Sequence, residues 1–108
     1  RDKKESRELR KKMDRDRLRH ASVWARCIKL IDRADNLHEM DTDQDLGFCR
    51  LYATESGLLL EALKGTHPDL EHELGIAIQL LNERVLGTER KLGSNIRFSP
   101  PKVRKTPL

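Results

Sequence analysis

The residues best equipped for chemistry lie in the stretch Ile28-Lys29-Leu30-Ile31-Asp32-Arg33-Ala34-Asp35-Asn36-Leu37. Asp32 and Asn36 stand one helical turn apart, so a carboxylate and an amide point the same way. With Ile31 at the centre of an apolar stripe that includes Trp24, Cys27, Ile28, Leu30 and Ala34, Asp32 falls on one flank beside Ala25, Lys29 and Asn36. The pair then forms a polar patch where helices meet. A half-buried carboxylate needs a partner, because an unpaired charge in a dry place is costly. A cation, an Arg or a helix N-terminus would serve. The plain structural partner is an Arg of the first, Arg-rich helix.

Other chemical groupings are weaker. His38, Glu39, Asp41, Asp43 and Asp45 form an acidic cluster, but a calcium loop needs Gly at its sixth place and Glu at its twelfth. The cluster reads as a loop capping a helix, where acids complement the macrodipole. His67 and His72 do not share a helix face and read as surface residues. No Gly-rich phosphate loop and no Ser-His-Asp arrangement is present. Cys27 and Cys49, outside any C-x-x-C pair, read as core thiols in a reduced, intracellular setting.

The elements that must position these residues are helical. Leu, Ala, Glu, Lys and Arg dominate, and aromatics make up only 4%, which favours helix over strand. The first helix is expected over about Ser6–His20, with a thin apolar row of Leu9, Met13 and Leu18. Ser22 is the expected N-cap of a second helix, about Val23–Met40, whose inner stripe reads Trp24, Cys27, Ile28, Ile31, Ala34 and Leu37. A third is expected over about Leu46–Lys64, with Phe48, Leu51, Tyr52, Leu58, Leu59 and Ala62 inward and Glu55 interrupting the stripe. Gly65 suits its C-terminal cap, and Pro68 the first position of a fourth helix. That helix is expected to hold Leu70, Leu74, Ala77, Ile78, Leu81 and Val85 inward and to stop at Gly87. The fold class is therefore all-α, three to four packed helices in a domain of residues 1–87. A basic, extended or disordered tail follows over residues 88–108.

Charge is distributed unevenly along the 108 residues. Residues 1–20 carry a net +5, residues 21–87 a net −6 and residues 88–108 a net +5, against +4 for the whole chain. Basic ends around an acidic middle suit polyanions, and equally suit a solvated helix face and a loose tail. No apolar run approaches the roughly 20 residues that span a bilayer.

The central stretch resembles the last metal-ligand motif of HD-superfamily phosphohydrolases. It is most similar to the branch that hydrolyses guanosine tetraphosphate-type alarmones, whose helix reads like Lys-Leu-Ala-Asp-Arg-Leu-x-Asn. Lys29, Leu30, Asp32, Arg33 and Asn36 stand at matching positions. The resemblance extends to the charged first helix, to Ser22-Val23-Trp24-Ala25, and to Tyr52, Glu55, Leu58-Leu59 and Leu63-Lys64-Gly65, about residues 5–85 in all. It implies a partial HD-domain helical fold in a cytoplasmic hydrolase. Asp32 would be the final ligand of a divalent metal, manganese in most members. Asn36 would contact the nucleotide, with Lys29 and Arg33 beside it as substrate-binding residues.

The family completes its site with a His and a His-Asp pair upstream. This sequence has no His-Asp dipeptide, and none of His20, His38, His67 and His72 holds the upstream position. No catalytic residue is assigned, and the metal is expected only if the missing ligands are supplied. A chain beginning at Arg1 then reads as the C-terminal portion of a longer enzyme, or as a homologue that lost catalysis. As a portion, it should leave apolar surface uncovered at Trp24, Ile28, Leu51 and Leu59, inviting self-association or a second chain. The rival reading is a non-catalytic helical module that binds a protein partner or nucleic acid through its basic ends.

Overall fold

A computed structural model describes the backbone of residues 3–98 and the side chains of residues 6–92. Four helices, α1 (Lys3–Arg19), α2 (Val23–Glu39), α3 (Leu46–Ala62) and α4 (Pro68–Phe98), form an all-α fold with no strand among the described residues. Helices α2, α3 and α4 start where the local chemistry satisfies their first N–H groups. Ser22 Oγ accepts from the Ala25 N–H at 3.1 Å to start α2, and Asp45 Oδ1 accepts from the Phe48 N–H at 2.9 Å to start α3. At α4 the caps are reciprocal. His67 Nδ1 accepts from the Leu70 N–H at 3.2 Å, while Glu71 Oε2 accepts from the His67 N–H at 2.8 Å.

The turn between α3 and α4 depends on Gly65, whose φ of 90° lies in the left-handed region that side chains disfavour. The loop between α2 and α3 folds on its own acids, Asp41 Oδ1 accepting from the Asp43 N–H at 2.9 Å. It is a capping loop, as its sequence implies. Arg84 of α4 donates to the Leu37 carbonyl at 2.9 Å and so satisfies the open end of α2.

The core lies where α4 packs on both α2 and α3. Leu74, Ala77, Leu81 and Val85 of α4 meet Leu30, Ala34 and Leu37 of α2, and Cys49, Ala53, Leu59 and Leu63 of α3. Each fully buried Leu contributes roughly 1.5–3 kcal/mol. The α4 face agrees with its sequence pattern. The other two are rotated. In α2 the covered row is Leu30, Arg33, Ala34 and Leu37, while Trp24, Ile28 and Ile31 are 79%, 60% and 46% exposed. In α3 the covered row is Cys49, Ala53, Glu55, Ser56 and Leu59, and Phe48 and Leu58 are exposed. Of the four residues expected to be uncovered, Trp24 and Ile28 are, Leu51 is half-buried and Leu59 is buried.

The helix boundary differs from expectation at Gly87. α4 continues to Phe98, so residues 88–98 of the expected tail are helical; residues 99–108 lie outside the described set. Two contacts hold the continuation to the rest of the domain. Thr88 Oγ1 is 2.9 Å from Thr42 Oγ1 in the α2–α3 loop, and Glu89 pairs with Arg50 of α3. With no partner-free turn required there, a helical Gly is tolerated at a cost of about 1 kcal/mol.

Candidate functional site

Five basic side chains and two acidic ones converge between α1, α2 and α3. They line a cavity of about 320 Å³ together with Leu18, Ala21 and Leu59. From α1 come Lys11, Asp14, Arg15 and Arg17; from α2, Lys29 and Arg33; from α3, Glu55. This places the dense basic charge of α1 over the flank of α2 that carries the motif. The acids do little to neutralise the cavity. Asp14 pairs with Arg17 at 3.1 Å, and Glu55 is held by Arg7 from outside the lining. Among the described residues, no carboxylate lies within ion-pair distance of Lys11, Arg15, Lys29 or Arg33.

Arg33 is the most unusual of these. Only 8% of it is exposed, yet its one hydrogen bond among the described residues runs to a neutral group, Nη1 donating to Ser56 Oγ at 3.2 Å. Ser56 Oγ in turn donates to the Tyr52 carbonyl at 2.7 Å. The guanidinium also stacks on Tyr52, its central carbon 4.5 Å from the ring centroid. Asn36 Nδ2 donates to the Tyr52 hydroxyl at 3.3 Å. Tyr52 therefore ties together two α2 residues expected to meet substrate. Phe48 stacks beside Tyr52 at 5.7 Å, and the Arg7 guanidinium lies 5.4 Å from the Phe48 centroid. Two stacked rings, Tyr52 and Phe48, thus lie between two cations, Arg33 and Arg7, on this side of α3.

Glu55 explains the polar break in the α3 stripe. It is 7% exposed and receives two parallel hydrogen bonds from Arg7, Nε to Oε2 at 2.7 Å and Nη2 to Oε1 at 3.0 Å. Burial pushes its carboxyl upward. The hydrogen bonds and charge of Arg7, with smaller pulls from Lys11 and Arg33, prevail and hold it below the usual carboxylate value. The ion pair with an α1 arginine that the sequence reading gave to Asp32 belongs to Glu55. Burial, followed by the charge of Asp45, pushes the Cys49 thiol up, which keeps it protonated and unreactive.

The structure divides the four expected site residues. Lys29 and Arg33 line the cavity; Asp32 and Asn36 are exposed and do not. Asp32 makes no hydrogen bond or ion pair among the described side chains. It lies three positions after Lys29, roughly 60° around the helix at about 100° per residue. It faces outward between the Lys29 and Asn36 flank and the exposed row of Ile28, Trp24 and Ile31. A bound metal typically needs about three protein ligands. Among the described residues no three His, Cys, Asp or Glu side chains are grouped to hold one. No helix of the described residues is long and apolar enough to cross a membrane. Sequence reasoning missed Arg7, Glu55 and Tyr52 as organisers of this region; the interrupted α3 stripe was the available signal. No family model, no curated protein and no solved structure matches the chain.

Proposed function

We propose that the chain is the C-terminal part of an HD-type metal-dependent phosphohydrolase that acts on a nucleotide pyrophosphate such as an alarmone, in the cytoplasm. The observation supporting this most is the position of Asp32. It stands on the uncovered side of α2, between a basic flank suited to phosphates and an exposed apolar row that includes Trp24 and Ile28. A metal ligand completed by other helices needs both features: an open carboxylate, and apolar surface beside it on which those helices can pack. In this reading the remaining ligands come from polypeptide seated on that row. Manganese is held only with their help, and Asn36 meets the nucleotide. The chain alone then lacks hydrolase activity, because one carboxylate does not retain a metal against water.

The test joins the chain to an upstream helical segment carrying a His and a His-Asp pair from an alarmone hydrolase. Assembly is read from burial of Trp24, and activity from manganese-dependent release of pyrophosphate from guanosine tetraphosphate. The expected result is activity that Asp32→Ala abolishes without loss of assembly. An assembled but inactive protein, or activity indifferent to Asp32→Ala, would overturn the reading. The rival, a non-catalytic helical module that binds a protein partner or nucleic acid through its basic ends, gives Asp32 no role, so this substitution separates the two.

A further inference from the structure

We infer that the cavity between α1, α2 and α3 is a binding site for a small polyanion of the pyrophosphate class, centred on Arg33 and walled by Lys11, Arg15 and Lys29. The anion site rests on burial and charge; the choice of pyrophosphate among small anions rests on the hydrolase reading above. A guanidinium 8% exposed, with a hydroxyl and a ring face as its described partners, is a buried cation whose charge no carboxylate balances at ion-pair distance. Keeping such a charge out of water is costly unless an anion meets it. Lys11, Arg15 and Lys29 add three more cations with no carboxylate at ion-pair distance among the described residues. Glu55 feels the charge of Arg33, but its two oxygens accept from Arg7 and it lies beyond ion-pair distance of Arg33.

Size and geometry narrow the ligand. A cavity of about 320 Å³ lies at the small end of ligand sites, which run about 300–1,000 Å³. It suits one or two phosphoryl groups, not a whole nucleotide tetraphosphate. The planar fork of Arg33 matches two oxygens of one phosphoryl group, and the ammonium groups of Lys11 and Lys29 act as point charges around it. Two ionised phosphoryl groups would offset most of the charge of the four cations that no lining carboxylate pairs, Lys11, Arg15, Lys29 and Arg33. The site uses α1 for half its wall, which gives that thinly apolar helix a reason to be so basic.

The experiment is calorimetric titration of the purified chain with inorganic pyrophosphate, with a chelator present so that no metal contributes. Saturable binding is expected, weakening with added salt. The double variant Arg15→Gln/Lys29→Gln alters two incompletely buried residues and should weaken binding about tenfold or more, since each removes a charge-assisted hydrogen bond. The variant Arg33→Lys keeps the charge and loses the fork, and should also weaken binding. The control double variant Lys12→Gln/Arg19→Gln removes as much charge from residues that pair with Asp16 and do not line the cavity. It should bind as the parent chain does. Equal weakening in the control, or no binding by the parent chain, would overturn the site. Pyrophosphate binding by a joined protein that hydrolyses nothing keeps the site and removes the hydrolase reading. Hydrolysis with a KM unmoved by Arg15→Gln/Lys29→Gln does the reverse.

Discussion

Arg7 and Glu55, 48 residues apart in the chain, meet through two parallel hydrogen bonds that fasten α1 to α3. Their pH signature follows from burial. Glu55 is held below its ordinary value, so its contribution is complete above that value and is lost as pH falls through the lowered one. In Arg7→Met, burial is left less opposed and pushes the Glu55 carboxyl up. The variant is expected to lose about 2–3 kcal/mol at neutral pH, toward the low end for a broken buried pair because Lys11 and Arg33 remain near. It should recover part of this on acidification, when Glu55 takes up a proton. Urea denaturation of both proteins from pH 7 to pH 4 tests it. A gap that stays constant or widens toward acid would count against this account.

Two glycines should respond in opposite directions to alanine. Gly65→Ala forces a side chain into the left-handed region and is expected to destabilise by about 1 kcal/mol. Gly87 lies inside α4 with open space where its Cβ would be. Gly87→Ala should therefore stabilise by about 0.5–1 kcal/mol. If Gly87→Ala lowered the denaturation midpoint, the continuous helix through residue 87 would be in question.

The exposed row of Trp24, Ile28 and Ile31 on α2 should make the isolated chain self-associate. Sedimentation velocity over a range of concentrations is expected to show reversible growth in mass. Trp24→Lys/Ile28→Lys should abolish it while leaving circular dichroism and the denaturation midpoint nearly unchanged, because neither residue belongs to the core. A parent chain that stays monomeric at high concentration, or a variant that unfolds, would contradict this assignment of faces.

The two thiols should differ in reactivity. Cys27 is half-buried, while Cys49 is buried and held protonated. A maleimide reagent is expected to label Cys27 under native conditions and Cys49 only when denaturant is added. Mass mapping of the labelled peptides decides it.

How far the sequence could be read depended on where its apolar residues were concentrated. In α4 they occupy one side, and Leu74, Ala77, Leu81 and Val85 were legible as core. In α2 they occupy two sides. Periodicity cannot tell which side the chain itself covers, and the covered one includes a buried Arg that hydropathy assigns to water. In α3 the covered row favours small residues, Cys49, Ala53 and Ser56, whose value lies in close helix approach and not in apolar bulk. A reading weighted by size chose Phe48 and Leu58 instead. Lys29 and Arg33, singled out through the motif, line the cavity. The roles of Arg7, Tyr52 and Glu55 were not legible, because they arise from contacts between helices tens of residues apart.

The placement of the core on α4 also sets an order of events at synthesis. Helices α2 and α3 meet through the polar and stacking contacts of Arg33 and Asn36, but both find their main apolar partner on a helix made after them. At about 5–20 residues per second, the chain from Leu63 to Val85 takes roughly one to four seconds to appear. Through that interval Leu30, Leu37 and Leu59 have no α4 to cover them. The nascent domain is most exposed to misassociation just before its fourth helix arrives, and a translational pause between Gly65 and Leu74 would lengthen that period directly.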